Sequence, residues 1–313
     1  LWFVTGFNSI ALVGSGAVGA YYGAKLARAG ADVRFLLRSD LGAVRERGLR
    51  VEERDGAFAL SPVNAHGDTM SIGACDLVIV ALKATANRAL SGLLPPLQHP
   101  RTTILTLQNG LGADEEIAAQ FGATHVVGGL CYVCINRTAP GVIACTSYGS
   151  VTLGEFLGPA TERTRALAAL FERAGLKPVL TDNLAEARWR KLVWNVPFNG
   201  LAVAVGGGIT TDKIMADPAL VARARRLMEE IVRAAAAFGH TIPPSYVEQQ
   251  FVVTSRIGAY APSSLVDYRA GREVEIEAIW GAPLRRAQSA GVATPELSRL
   301  YAELRAVAPR SAG

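Results

Sequence analysis

The chain has 313 residues, enough for two domains of ordinary size. Half of the residues are hydrophobic and 19% are charged, a well-buried globular composition that excludes a disordered or fibrous chain. The net charge of +5 comes from lysines and arginines scattered along the chain, not gathered in a block, which argues against a nucleic-acid partner. Four cysteines in so long a chain do not suggest a secreted disulfide scaffold. No apolar run approaches membrane-spanning length, so no membrane partner is expected.

The opening Leu1-Trp2-Phe3-Val4-Thr5-Gly6-Phe7 is apolar but lacks a basic lead and a cleavage site. Residues 1–9 are therefore expected to be a tail without function, and the compartment to be the cytoplasm. Buried strands are expected at 10–13, 32–37, 77–82, 102–107, 126–129 and 177–180, with helices at 18–29 and 161–174 closed by Gly30 and Gly175. No element is assigned between Leu37 and Leu77. From 128 to 153 the Gly, Thr and β-branched content rises without helical period, which suggests added strands or a hairpin. Cys131-Tyr132-Val133-Cys134 falls in that strand-like run, where residues three apart face opposite sides. With no second Cys or His pair at zinc spacing, these cysteines are expected to be small hydrophobes, and no metal site is expected among them or the four histidines.

Gly14-Ser15-Gly16-Ala17-Val18-Gly19 lies directly after the first strand and opens the first helix. That placement is what a dinucleotide pyrophosphate requires. Gly14 permits the tight turn, Gly16 the close approach of backbone to phosphate, and Gly19 close packing of helix on strand, while the free N–H groups of the helix end hold the anion. The second expected strand runs into Arg38, where a carboxylate would read an unphosphorylated ribose and an arginine pairs with a 2′-phosphate. Asp40 stands nearby, but Arg38 favours NADP. Strand alternating with helix around such a turn predicts an α/β, Rossmann-like doubly wound sheet over 10–182, the NADP-binding domain.

After Thr181 the pattern turns helical, giving an all-helical C-terminal domain over 183–313. Asn183 with Glu186 fits a capping box, and Asp217-Pro218 opens a long helix reaching about Phe238. Further helices are expected at 244–258, 274–288 and 295–307. Pro197, inside the helix that carries Trp189 to Asn199, predicts a bend there.

Several segments together resemble the ketopantoate reductase (2-dehydropantoate 2-reductase) family. They are the glycine turn, Leu82-Lys83-Ala84, Gln108-Asn109-Gly110, Trp189-Arg190-Lys191-Leu192 with Asn195 and Asn199, Ser263-Ser264, Glu275-Ile276, and Gly291-Val292-Ala293-Thr294-Pro295. The resemblance spans about 10–300. It implies reduction of 2-dehydropantoate to pantoate with NADPH, on the route to pantothenate and coenzyme A, by a Rossmann-like domain followed by a helical substrate-binding domain. It places the proton-donating lysine on Lys191, a catalytic glutamate that bonds a substrate hydroxyl on Glu275, and substrate contacts on Asn195, Asn199, Ser264 and Asn109. On the cofactor side it adds Lys83 and Asn109 to the glycine turn and to Arg38. The stretch Leu265-Val266-Asp267 departs from the family's usual sequence after the paired serines, which keeps another branched or aromatic 2-keto acid open as substrate. A non-catalytic NADP-binding sensor is the alternative of a different class. Some relatives are homodimers; for this chain both a homodimer and a monomer stay open.

The residues also make chemical sense by themselves. Reducing a 2-keto acid needs a hydride at the carbonyl carbon and a proton at its oxygen, and a lysine can stabilise the alkoxide and protonate it. Lys191, Asn195 and Asn199 are spaced four apart, so they share one helix face. Large apolar neighbours such as Trp189, Leu192, Val193 and Trp194 bury that helix, and buried polar groups need partners.

Overall fold

The computed structural model describes residues 6–147 and 149–307; of the expected tail 1–9, residues 1–5 lie outside them. The chain divides into two compact units, one reaching to Gln108 and resuming at Ala113–Leu184, the other made of Asn109–Gly112 and the chain from Ala185 on. Among the described residues, no helix is long and apolar enough to cross a membrane.

In the first unit the chain runs β1 (Ser9–Val13), α1 (Ala17–Arg28), β2 (Asp32–Leu36), α2 (Leu41–Arg47), β3 (Leu49–Glu53), β4 (Gly56–Leu60), β5 (Ala65–His66) and β6 (Leu77–Val80). It continues through α3 (Leu90–Leu93), β7 (Thr103–Thr106), α4 (Ala113–Phe121), β8 (Val126–Cys131), β9 (Cys134–Ala139), β10 (Val142–Ser147), β11 (Ser150–Glu155), α5 (Glu162–Arg173) and β12 (Lys177–Leu180). The main sheet has eight strands in the order β12-β11-β8-β7-β6-β1-β2-β5. The six from β8 to β5 are parallel, whereas β11 pairs antiparallel with β8 and carries β12 alongside it. The sheet is thus mixed, with a reversed edge.

Its central strands β1 and β6 are apolar but for Ser9, because both faces are covered. Ile10, Leu12, Leu77 and Ile79 point into one core with Tyr22, Leu26 and Phe171, while Ala11, Val13, Val78 and Val80 point into another with Leu90, Leu94 and Ile117. A second, four-stranded sheet of order β4-β3-β10-β9 packs into the first of these cores through Val51 and Ile143. The expected hairpin around 128–153 is β9–β10 of this sheet. The strand-like run expected around Cys131 and Cys134 is interrupted: Cys131 ends β8 of the large sheet and Cys134 begins β9 of the small one. Val133 leaves the ladder between them because the chain changes sheets there.

The second unit is helical: α6 (Leu184–Ala204), α7 (Thr211–Ala216), α8 (Pro218–Ala237), α9 (Pro244–Ile257), α10 (Ser263–Arg269), α11 (Ala282–Ser289) and α12 (Pro295–Val307). Asp217 caps α8 as expected, its side chain accepting from the Ala219 and Leu220 N–H groups. α6 runs uninterrupted through Pro197 and supplies Trp189, Val193, Val196 and Phe198 to a core shared with Met228, Ile231, Trp280 and Leu300. The helix expected at 274–288 begins later, at Ile276, and its first stretch, Glu277–Gly281, is a π-turn. Pro283 explains the change, because it has no N–H to continue the α ladder and its ring crowds the preceding turn.

Candidate active site

The glycine turn has the geometry a pyrophosphate needs. Gly14 sits at φ +100°, and a Cβ there would overlap the Leu82 backbone at the end of β6. A Cβ on Gly19 would overlap the Gly14 carbonyl, so the first turn of α1 can close on the strand only without a side chain. Gly16 caps α1, is exposed, and has open space where a Cβ would stand. The first turn of α1 carries no acidic side chain, so nothing acidic there competes with an anion for the N–H groups of Ala17, Val18 and Gly19. Ser15 Oγ donates to the Leu36 carbonyl at 2.8 Å and ties the turn to the end of β2. A dinucleotide fits this frame.

Two residues past that strand end, Arg38 is exposed while Asp40 is 4% exposed. Asp40 accepts from Arg137 Nη1 at 2.7 Å, from Ser39 Oγ at 2.9 Å and from the Gly141 N–H at 3.1 Å. Lys83 follows β6 and sits at the N-cap of a short 3-10 turn, Ala84–Ala89. Sequence reasoning missed the network that fixes this loop. Gln108 Nε2 donates to the Leu82 carbonyl at 2.9 Å and to Asn87 Oδ1 at 2.6 Å, and Asn87 Nδ2 donates to Glu116 at 2.7 Å. Gln108 and Asn87 are both buried, and a pair of amides so far apart in sequence leaves no local signal.

In the second unit, Lys191 on α6 donates to Asn109 Oδ1 at 2.7 Å. Asn109 belongs to a loop fastened by backbone. The Leu111 N–H donates to the Ala278 carbonyl at 2.9 Å, and Gly110, at φ +83°, lies so close that a Cβ would overlap the same carbonyl. Ala278 is available as an acceptor for a definable reason. In the π-turn the Ala282 N–H goes to the Glu277 carbonyl, and the donor five residues beyond Ala278 would be Pro283, which has none.

Asn195 and Asn199, one and two turns beyond Lys191, are 7% and 2% exposed. Asn199 Oδ1 accepts from the Ser264 N–H at 3.1 Å and from Ser263 Oγ at 3.4 Å, so it also holds the N-terminus of α10. Ser264 is itself buried. The Asn195 side chain makes no hydrogen bond among the described residues. Glu275 stands just before the helix, half-buried. Its neighbour Glu277 is engaged elsewhere, accepting from Tyr301 at 2.6 Å and from Arg285 at 2.7 Å. Partial burial alone would raise the Glu277 carboxyl, but these two donors hold it below its ordinary value.

A sheet unit with a dinucleotide turn, followed by a helical unit presenting a lysine and two buried carboxamides, defines a dinucleotide-dependent oxidoreductase. Known proteins narrow this further. Residues 10–158 match the model described as "Ketopantoate reductase PanE/ApbA" and residues 183–308 its C-terminal counterpart. The chain is 42% identical over 301 residues to a 2-dehydropantoate 2-reductase of Nostoc, covering 94% of this chain and 93% of that one. Its structure resembles that of 2-dehydropantoate 2-reductase from Geobacter metallireducens, with TM-score 0.93, 41% identity, and 95% and 99% of the two chains covered. The same fold recurs in a D-mandelate dehydrogenase solved with NADH and anilino(oxo)acetate, at TM-score 0.86 and 23% identity over 95% of this chain and 97% of that one. The chain belongs to the ketopantoate reductase family of oxidoreductases.

Proposed function

We propose that this protein reduces 2-dehydropantoate to pantoate with NADPH, residues 10–182 binding the cofactor and residues 183–313 the keto acid. The hydrogen bond from Lys191 to Asn109 is the observation that carries this reading: an ammonium held by it, on the helix that carries two buried carboxamides, suits a carbonyl that must become an alcohol. When bound, the reduced nicotinamide supplies the hydride. As the carbonyl oxygen gains charge, Lys191 stabilises it and gives it a proton, returning to the ammonium form from solvent. Asn109 Oδ1 accepts from the ammonium and orients it for the substrate. Asn195, whose amide has no protein partner among the described residues, and Asn199 bond the substrate's polar groups, with Ser264 beside Asn199. Glu275, singled out by the match to the family, takes a substrate hydroxyl, while Glu277 is bound to Tyr301 and Arg285.

On the cofactor side, the glycine turn holds the pyrophosphate, Arg38 the 2′-phosphate, and Lys83 and Asn109 the rest of the dinucleotide. Exposure of Arg38 and burial of Asp40 support NADPH over NADH. Steady-state NADPH oxidation with 2-dehydropantoate and a panel of branched and aromatic 2-keto acids tests the reading. The highest kcat/KM is expected for 2-dehydropantoate. Preference for another keto acid would move the activity within the family, and no turnover with any of them would leave a non-catalytic NADP-binding protein.

A further inference from the structure

Asp40 is a carboxylate in an awkward place. It lies two residues beyond Arg38, within about 7 Å of chain reach. An acidic group past the second strand favours an unphosphorylated ribose and repels a 2′-phosphate. Here both of its oxygens are engaged by the β9–β10 hairpin. Arg137 donates to Oδ1, and the backbone N–H of Gly141 donates to Oδ2. The two partners are unequal, with the Asp40 side chain 6% exposed and that of Arg137 41% exposed. The arginine therefore gives up little hydration, while the carboxylate has no other cation paired with it among the described residues.

We propose that Arg137 is a positioning residue for cofactor specificity. By neutralising Asp40 and holding it against the hairpin, it leaves Arg38 as the effective charge at the strand end, and so sets the preference for NADPH over NADH without touching the cofactor. The inference rests on the reading of Arg38 as the 2′-phosphate ligand. Opposite charges in contact cancel at a distance, whereas a bared carboxylate this close to a dianionic phosphate opposes its binding.

The test is the ratio of kcat/KM for NADPH to that for NADH. In Arg137→Ala it should fall about ten-fold, nearly all through the NADPH term, the scale of one nearby charge in a partly solvated site. Adding Asp40→Asn should bring the ratio back to within about three-fold of the unsubstituted protein, since no charge is then left to bare. Arg137→Lys should keep the ratio. Should Arg137→Ala fail to fold, Arg137→Gln, which keeps a hydrogen bond but removes the charge, should show the same loss. A structural tether would lower both cofactors equally, so equal losses overturn the proposal, as does failure of Asp40→Asn to restore the ratio. Arg38→Ala measured alongside separates the two readings. If it leaves the ratio unchanged, the 2′-phosphate assignment has failed; if it collapses the ratio while Arg137→Ala does not, only the role of Arg137 has.

Discussion

Lys191 donates at 2.7 Å to Asn109, a residue far away in sequence. On the proposed mechanism, replacing Lys191 with Ala removes the proton donor and the cation that steadies the alkoxide. kcat should then drop by about 10²–10⁴-fold, the range of a positioned acid. The Kd for NADPH, measured by fluorescence titration, should stay within about two-fold; undiminished turnover would remove Lys191 from the chemistry. At this scale the sequence is most readable where a motif is contiguous or periodic. The glycine turn and the Lys191-Asn195-Asn199 face are of that kind. It is silent where a residue's partner is remote. Nothing near Asn199 announces that its carbonyl holds the N-terminus of α10, and nothing near Asp40 points to Arg137.

At the scale of elements, the π-turn and Gly110 do the positioning. Pro283 withholds an N–H, Ala278 keeps a carbonyl for Leu111, and the loop so fastened carries Asn109 to Lys191. Gly110→Ala must place a Cβ at φ +83° and against the Ala278 carbonyl, so stability should fall by about 2 kcal/mol or more. kcat should fall by about ten- to a hundred-fold because Lys191 loses its fixed partner. Chemical denaturation and steady-state kinetics on the same variant check both; a destabilised variant with unchanged kcat would show that the loop does not position the lysine. The π-turn is hard to read from sequence, since Pro283 signals a disturbance but not the carbonyl it frees. The β3–β4 hairpin is a different kind of omission. Its first strand is rich in charge, as Arg50, Glu52 and Glu53 show, and its second, Gly56-Ala57-Phe58-Ala59-Leu60, is short and mostly small residues, so neither has the branched apolar run of β6. The two residues between them are Arg54-Asp55, and Asp55-Gly56, with Gly56 opening β4 at a positive φ, is nevertheless a recognised hairpin signal.

At the scale of the whole chain, the α/β-then-helical order is legible because its signals are global: apolar strands with glycine-closed helices up to β12, helical periods after it. The reversed strands β11 and β12 are not, because alternation and length carry no information on strand direction. The same organisation puts the glycine turn in one unit and Lys191 in the other, so on the proposed reading pyrophosphate binding and proton donation can be tested separately. A ligand that binds only the folded chain stabilises it by RT ln(1 + [L]/Kd), about 2.7 kcal/mol at a hundred-fold excess over Kd. NADPH should therefore raise Tm by a few degrees in a thermal scan. Lys191→Ala should keep that rise in full, because the lysine lies outside the unit with the glycine turn. Gly19→Ala should lose most of it, since its Cβ would displace the Gly14 carbonyl and open the turn proposed to hold the pyrophosphate. Loss of the rise in Lys191→Ala, or its survival in Gly19→Ala, would contradict the assignment of cofactor binding to the glycine turn.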